Sequence, residues 1–167
     1  MQTYPETDGK KRIALMAGSF DPFTVGHASI VERGLQLFDE VVVAVGQHPS
    51  KPHGDAQGRA DAIAAVYRDE PRVRVIVSRQ LTVDTAREVG ARFLLRGVRS
   101  VRDFEYERDM ADVNRAIGEG LETVLLTALP ELAAVSSTVV RDIASYGKDV
   151  SRYLPETKHS TDNSLIK

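Results

Sequence analysis

The sequence predicts a doubly wound α/β fold: a five-stranded parallel sheet of order 3-2-1-4-5, Rossmann-like, in a single domain. Two observations lead to it. Short apolar runs bounded by turn residues alternate with stretches of helical periodicity from one end of the chain to the other. Strands and helices interleaved at this rhythm form βαβ units with right-handed crossovers, which build a parallel sheet covered on both faces.

The elements follow in order. "KRIALMA" (11–17), closed by Gly18, reads as a buried first strand. From Gly26 to Phe38 the apolar positions Ile30, Val31, Leu35 and Phe38 recur at helical spacing. "EVVVAVG" (40–46) is the second strand, followed by the loop "QHPSKPHGDAQG" and a helix over "RADAIAAVYRD". "RVRVIVS" (72–78) is the third strand; "TVDTAREVG" is a short helix with Thr82 as its cap and Gly90 as its stop. "RFLLRG" (92–97) is the fourth strand, and "SVRDFEYERDMADVNRAIG" a longer helix ending at Gly118. "LETVLLTAL" (121–129) is the fifth strand, and "SSTVVRDIASYG" a helix closed by Gly147. Residues 1–11 read as a polar extension, 12–155 as the domain and 156–167 as a polar tail.

Bulk properties narrow the function classes. At 167 residues, 42% hydrophobic and 28% charged, the chain can bury an ordinary globular core. A net charge of -2 argues against coating nucleic acid, though not against a local basic pocket. The absence of cysteine rules out disulfides and thiolate metal sites and fits a cytoplasmic protein. No apolar stretch approaches the roughly 20 residues that span a bilayer, and the polar N-terminus lacks a signal peptide's apolar segment. Neither a nucleic-acid nor a membrane partner is expected.

In such sheets ligands bind beyond the carboxyl ends of the strands, where strand order reverses. The unusual loops "GSFDPFTVGH", "GQHPSKP", "RGVRSVRDFEYE" and "PELAAVSST" follow strands one, two, four and five, so they converge on one crevice. Neither the dinucleotide fingerprint G-x-G-x-x-G nor a phosphate loop G-x-x-x-x-G-K is present, which excludes a redox Rossmann protein. Gly18 allows a tight turn whose N–H, with that of Ser19, can face phosphate oxygens. The helix opening near Gly26 offers an anion site, and His27 adds a donor there. A lone histidine in that position more often caps or packs the turn than binds a ligand.

Two short patterns change that weighting. "TVGH" fits T/H-x-G-H and "SSTVVR" (136–141) fits S-S-T-x-x-R, the signatures of the nucleotidyltransferase superfamily. With "GSFDPFTVGH", "PSK", "RGVRSVRDFEYE", "VSST" and "GKDVSRYLP", the chain resembles the bacterial phosphopantetheine adenylyltransferases from about residue 12 to 155. The resemblance implies transfer of the adenylyl group of ATP to 4′-phosphopantetheine in coenzyme A synthesis, with magnesium, in a homohexamer. It implies that Ser19, Phe20 and His27 contact ATP, with His27 stabilising the transition state. Ser19, Lys51, Thr82 and Arg96 would line the acceptor site, Lys51 reaching phosphate. Gly97, Val98, Arg99 and Glu107 would hold the nucleotide, together with Leu132, Ala133, Ala134, Val135, Ser136, Ser137 and Thr138. Ser19 stands where the family commonly has threonine, and "LAAV" where many relatives carry an aromatic residue.

Structural readings stand beside these. Lys51 alone would read as a solvated loop lysine, Thr82 as a helix cap, and Arg102, Arg108 and Arg115 as a solvated helix face; Asp103 is a weaker candidate beside Glu107. Hydroxyls at 136–138 can cap a helix and bind phosphate at once. His48 and His53 lack the further ligands a zinc site needs, so no protein-held metal is expected. A sister enzyme acting on nicotinamide mononucleotide or cytidine nucleotides would share the short signatures but not the full "RGVRSVRDFEYE" block. A non-enzymatic binding module would be expected to have lost His27, Lys51 or the serine run.

Overall fold

The structure, a computed structural model, describes residues 9–47 and 55–157. Its strands are β1 (Ile13–Gly18), β2 (Glu40–Gly46), β3 (Val73–Ser78), β4 (Phe93–Val98) and β5 (Glu122–Thr127). They pair in parallel in the order β3-β2-β1-β4-β5, as the sequence predicts. The connecting helices are α1 (Val25–Gly34), α2 (Ala56–Val66), α3 (Thr82–Val89) and α4 (Val101–Ile117), and α5 (Ser137–Ser145) follows β5.

Side-chain alternation on the central strands builds two apolar layers. Val41, Val43 and Val45 of β2 pack with Ile30 and Val31 of α1 and Ala60 and Ile63 of α2. Val42 and Ala44 face the other way, onto Leu15, Leu94, and Val83 and Ala86 of α3. Burial on both faces is why β2 reads as an unbroken apolar run rather than an alternating one.

Element ends differ from the sequence expectation for identifiable reasons. α1 stops at Gly34, and Leu35 and Phe38 lie in the turn beyond, where the N–H groups of Leu37 and Phe38 both bond the Gly34 carbonyl at 2.9 Å. Phe38 is nevertheless buried in the α1–α2 layer, so its spacing reports burial rather than helix. α2 starts early because the Asp55 carboxylate accepts from the Gly58 N–H at 2.8 Å, a strong N-cap.

Thr82 is not the cap of α3. The cap position is Leu81, with no side-chain bond, and Thr82 is the first helical residue. The threonine that bonds locally is Thr85, whose hydroxyl meets Ser78 Oγ at 2.6 Å and the Leu81 carbonyl at 3.1 Å. Gly90 does end this helix, in the left-handed region at φ 72°.

Candidate active site

The site begins with a gap in the sheet. β1 pairs with β2 at six positions but with β4 at only two, Ala14↔Phe93 and Leu15↔Leu94. Beyond those, the ladder between the two strands stops, and the Ala17 carbonyl takes a side chain instead: Arg96 Nη1 donates to it at 2.5 Å. Over this gap opens a crevice of about 630 Å³, bounded by the β1–α1 turn, the β4–α4 corner and the start of α5. That is a volume suited to a nucleotide-sized ligand.

His27 stands at the third position of α1, which Thr24 caps. The Thr24 N–H donates to His27 Nδ1 at 3.0 Å, and the His27 N–H returns to Thr24 Oγ1 at 3.4 Å. A backbone N–H can only donate, so Nδ1 accepts and the ring proton of the neutral form sits on Nε2. Burial, then the charges of Arg99 and Arg96, lower the His27 pKa to about 4. The ring lines the crevice, stacks on Phe23 at 5.4 Å and meets the edge of Phe20 at 5.2 Å. Cap and donor, set against each other by the sequence, are two nitrogens of one ring.

The β4–α4 corner supplies the cations. Arg96 is gripped by both oxygens of Glu107, Nε to Oε2 at 2.8 Å and Nη2 to Oε1 at 2.7 Å. Glu107 is the single buried residue of α4. Arg99 Nε bonds Asp103 Oδ2 at 3.0 Å. Arg102 also lines the crevice, whereas Arg108 and Arg115 form exposed pairs with Asp109 and Glu122. Arg102 is exposed, as the solvated-face reading has it, and lines the crevice as well: 102, 103 and 106 lie at helical intervals on α4 and all border the crevice. Tyr106 is the lining residue that sequence reasoning missed, and this spacing contains it.

At α5 the three hydroxyls divide their work. Ser136 caps the helix, accepting from the Val139 N–H at 3.2 Å, and Ser137 donates to the Pro22 carbonyl at 2.8 Å. Thr138 is exposed, 3.4 Å from Arg141 Nη2. All three line the crevice, with Leu132 and Val135, while Ala133 and Ala134 are exposed and outside its lining. Ser19, Phe20, Arg99, Asp103 and Gly97 belong to it; Val98 is buried within β4 and does not. Gly97 has a packing reason for its identity, since a Cβ there would stand 3.0 Å from Ile30 Cγ1. Lys51, His48 and His53 lie outside the described residues.

Thr82 borders a second, narrower cavity of about 170 Å³. It shares Ala17, Arg96, Tyr106 and Glu107 with the crevice, so the two meet at the Arg96–Glu107 pair. Thr123 Oγ1, which is buried and has no hydrogen-bond partner among the described residues, lies on its wall. Among the described residues no cluster of three or more histidine, aspartate or glutamate side chains could hold a metal ion.

A parallel sheet split at its switch point, with cations and helix N-termini around the split, defines a nucleotidyltransferase, and the cytidylyltransferase-like family model matches residues 15–143. A phosphopantetheine adenylyltransferase of Porphyromonas gingivalis is 51% identical over 148 residues, covering 88% of this chain and 96% of that one. One from Bacteroides thetaiotaomicron is 45% identical over 146 residues, covering 87% and 96%. A solved bifunctional NMN adenylyltransferase/ADP ribose pyrophosphatase from Francisella tularensis shares the fold, with a TM-score of 0.65 at 13% identity. It is covered over 45% of its own length, and 88% of this chain is aligned. The chain belongs to the phosphopantetheine adenylyltransferases, within the cytidylyltransferase-like family, and is a nucleotidyltransferase.

Proposed function

We propose that the crevice binds ATP and the adjoining cavity takes the pantetheine arm of 4′-phosphopantetheine, with direct transfer between them. One observation carries this: two cavities of unequal size meet at Arg96, a cation suited to an acceptor phosphate that has to reach from one to the other. The Thr123 hydroxyl, without a partner among the described residues, suits an amide-bearing arm, and Thr82 on the same cavity has no capping duty that would explain it otherwise.

A phosphate oxygen of the acceptor attacks the α-phosphorus, and the bond from that phosphorus to the oxygen bridging to the β-phosphate breaks. The electron pair leaves with pyrophosphate, and the new phosphoanhydride is that of 3′-dephospho-coenzyme A. A phosphate monoester with a second pKa of about 6 is largely dianionic at neutral pH and needs no general base. A histidine with a pKa of about 4 is neutral there and suited to donating a hydrogen bond from Nε2. Charge that builds on the α-phosphate oxygens strengthens that bond most in the transition state. Arg96 and Lys51 hold the acceptor phosphate, and Ser19 and Phe20 offer N–H groups to ATP. Gly97, Arg99, Leu132, Val135 and Ser136, Ser137 and Thr138 frame the nucleotide, with Val98 behind them in β4. Glu107, which the family resemblance places against ATP, spends both its oxygens on Arg96 and is better suited to orienting that arginine.

Magnesium enters with ATP, held by the phosphates and water. The crevice carboxylates Glu107 and Asp103 are both engaged by arginines, so among the described residues the crevice offers no metal cage. No helix among the described residues is long and apolar enough to cross a membrane, which is compatible with the cytoplasmic site we assign. The exposed apolar stripe of α4 supports self-association, as a homohexamer on the family pattern. The deciding assay is pyrophosphate release from ATP with 4′-phosphopantetheine, nicotinamide mononucleotide or glycerol phosphate as acceptor. Turnover with the first alone is expected; equal or faster turnover of nicotinamide mononucleotide overturns the assignment.

A further inference from the structure

The turn that joins β1 to α1 is held from outside, by its carbonyls. Arg59 of α2 donates from Nε to the Ser19 carbonyl at 2.9 Å. Arg141 of α5 donates from Nη1 to the Asp21 carbonyl, and Ser137 takes the carbonyl of Pro22. Between the two arginine contacts sits Phe20, at φ 47°. That is the left-handed region, unfavourable for a bulky side chain, and such a conformation persists only where its surroundings over-determine it. Here they do. The ring is 4% exposed, packed against Phe23 and His27, and arginines from two different helices fix the main chain on either side of it.

The direction of these contacts matters as much as their number. A trans peptide group is planar, with its carbonyl and N–H opposed. Drawing the Ser19 carbonyl towards α2 turns the Phe20 N–H the other way, and that N–H has no hydrogen-bond partner among the described residues. Ser19 and Phe20 both line the crevice; Arg59 and Arg141 do not. We infer that Arg59 and Arg141 are positioning residues for the transfer reaction: without touching substrate, they lock the turn so that the Phe20 N–H and the His27 ring face the nucleotide phosphates. Arg141 belongs to the S-S-T-x-x-R pattern and its partner Asp21 to the segment before T-V-G-H, so the second signature is joined by contact to the turn that leads into the first. Arg59 belongs to neither.

The inference rests on the adenylyl-transfer reading, and two readouts keep them apart. Wild-type turnover with 4′-phosphopantetheine tests the reading. Hydrogen exchange of the free enzyme, followed over peptides spanning residues 18–28, needs no substrate and tests the clamp. In Arg59→Ala and in Arg141→Ala, exchange in that segment is expected to accelerate while sheet peptides keep wild-type protection. Under saturating substrates kcat is expected to fall about tenfold or more, the scale of a small misplacement of reacting groups. Arg59→Gln, which keeps an N–H donor without the charge, is expected to restore most of the loss, since a carbonyl requires only a donor. Wild-type exchange and kcat within twofold in Arg59→Ala overturn its role, and the same result in Arg141→Ala overturns that of Arg141. Rescue by Arg59→Lys but not by Arg59→Gln also overturns it, because Arg59 would then act as a charge on the phosphates.

Discussion

His27 makes two separable contributions, one through each ring nitrogen. Nδ1 completes the cap of α1, and Nε2 carries the proton of a ring that lines the crevice. His27→Ala is expected to lower kcat about a hundredfold or more, the scale of a lost oxyanion donor, with a modest change in ATP affinity. Loss of the Thr24 N–H bond to Nδ1 is expected to lower stability by about 1 kcal/mol. Glutamine is the usual partner in a capping box, and its amide keeps an acceptor for the Thr24 N–H and a donor besides. His27→Gln is therefore expected to recover the melting temperature and part of kcat. Steady-state rates and thermal melts on both variants check this, and a general base would show glutamine no better than alanine. Arg96 and Glu107 form a second unit. Arg96→Ala is expected to weaken acceptor use by about 1.5–3 kcal/mol, the worth of a hydrogen bond to a charged group. If Glu107 acts by holding that guanidinium, Glu107→Ala repeats the acceptor defect and the double variant is little worse than Arg96→Ala. Titrations with acceptor and with an ATP analogue decide it: a defect confined to ATP refutes this role for Glu107.

Among the elements, α4 is the odd one. It runs for 17 residues with one buried side chain, and it exposes Tyr106, Met110, Val113 and Ile117 at successive spacings of four, three and four. That is a stripe along one helix face, the pattern of a surface that packs on something. With the family's hexamer as the proposed assembly, replacing Val113 and Ile117 with glutamate is expected to shift the sedimentation coefficient to that of smaller species. A wild-type coefficient in the double variant places the contact elsewhere. The central strands β1, β2 and β4 were the most legible elements in the sequence, because burial on both faces leaves a short apolar run bounded by turn residues. Helix ends were less so. Phe38 kept helical spacing while lying in a turn, and Thr82 looked like a cap where the chain uses Leu81. The candidate site was legible as far as "TVGH" and "SSTVVR" carry local chemistry. What no local pattern contains is that Ser137 meets Pro22, 115 residues away, or that Arg59 meets Ser19 across 40. Such pairs exist only once the strand order brings three loops together.

For the whole molecule, the buried imidazole couples folding to pH. The His27 pKa falls from the ordinary 6.5 to about 4, chiefly through burial and then through Arg99 and Arg96. Protonation therefore favours the unfolded chain. The associated stability is complete above pH 6.5, declines as pH falls from there towards 4, and changes no further below it. At 1.36 kcal/mol per pKa unit the full effect is up to about 3 kcal/mol. A histidine held by a carboxylate would give the opposite trend, with stability lost as pH rises. Asp39, whose pKa is lowered first by the Arg12 N–H and then by its side chain, loses its contribution only at lower pH, below the usual 3.8. The two effects therefore occupy different windows. Denaturant midpoints of wild type and His27→Gln, measured at intervals from pH 7.5 to 4.5, isolate the first. The wild type is expected to lose stability relative to the variant through that range, because glutamine has no proton to gain. Parallel curves would mean that the ring titrates alike in the folded and unfolded chain, and the lowering of its pKa by burial would fail.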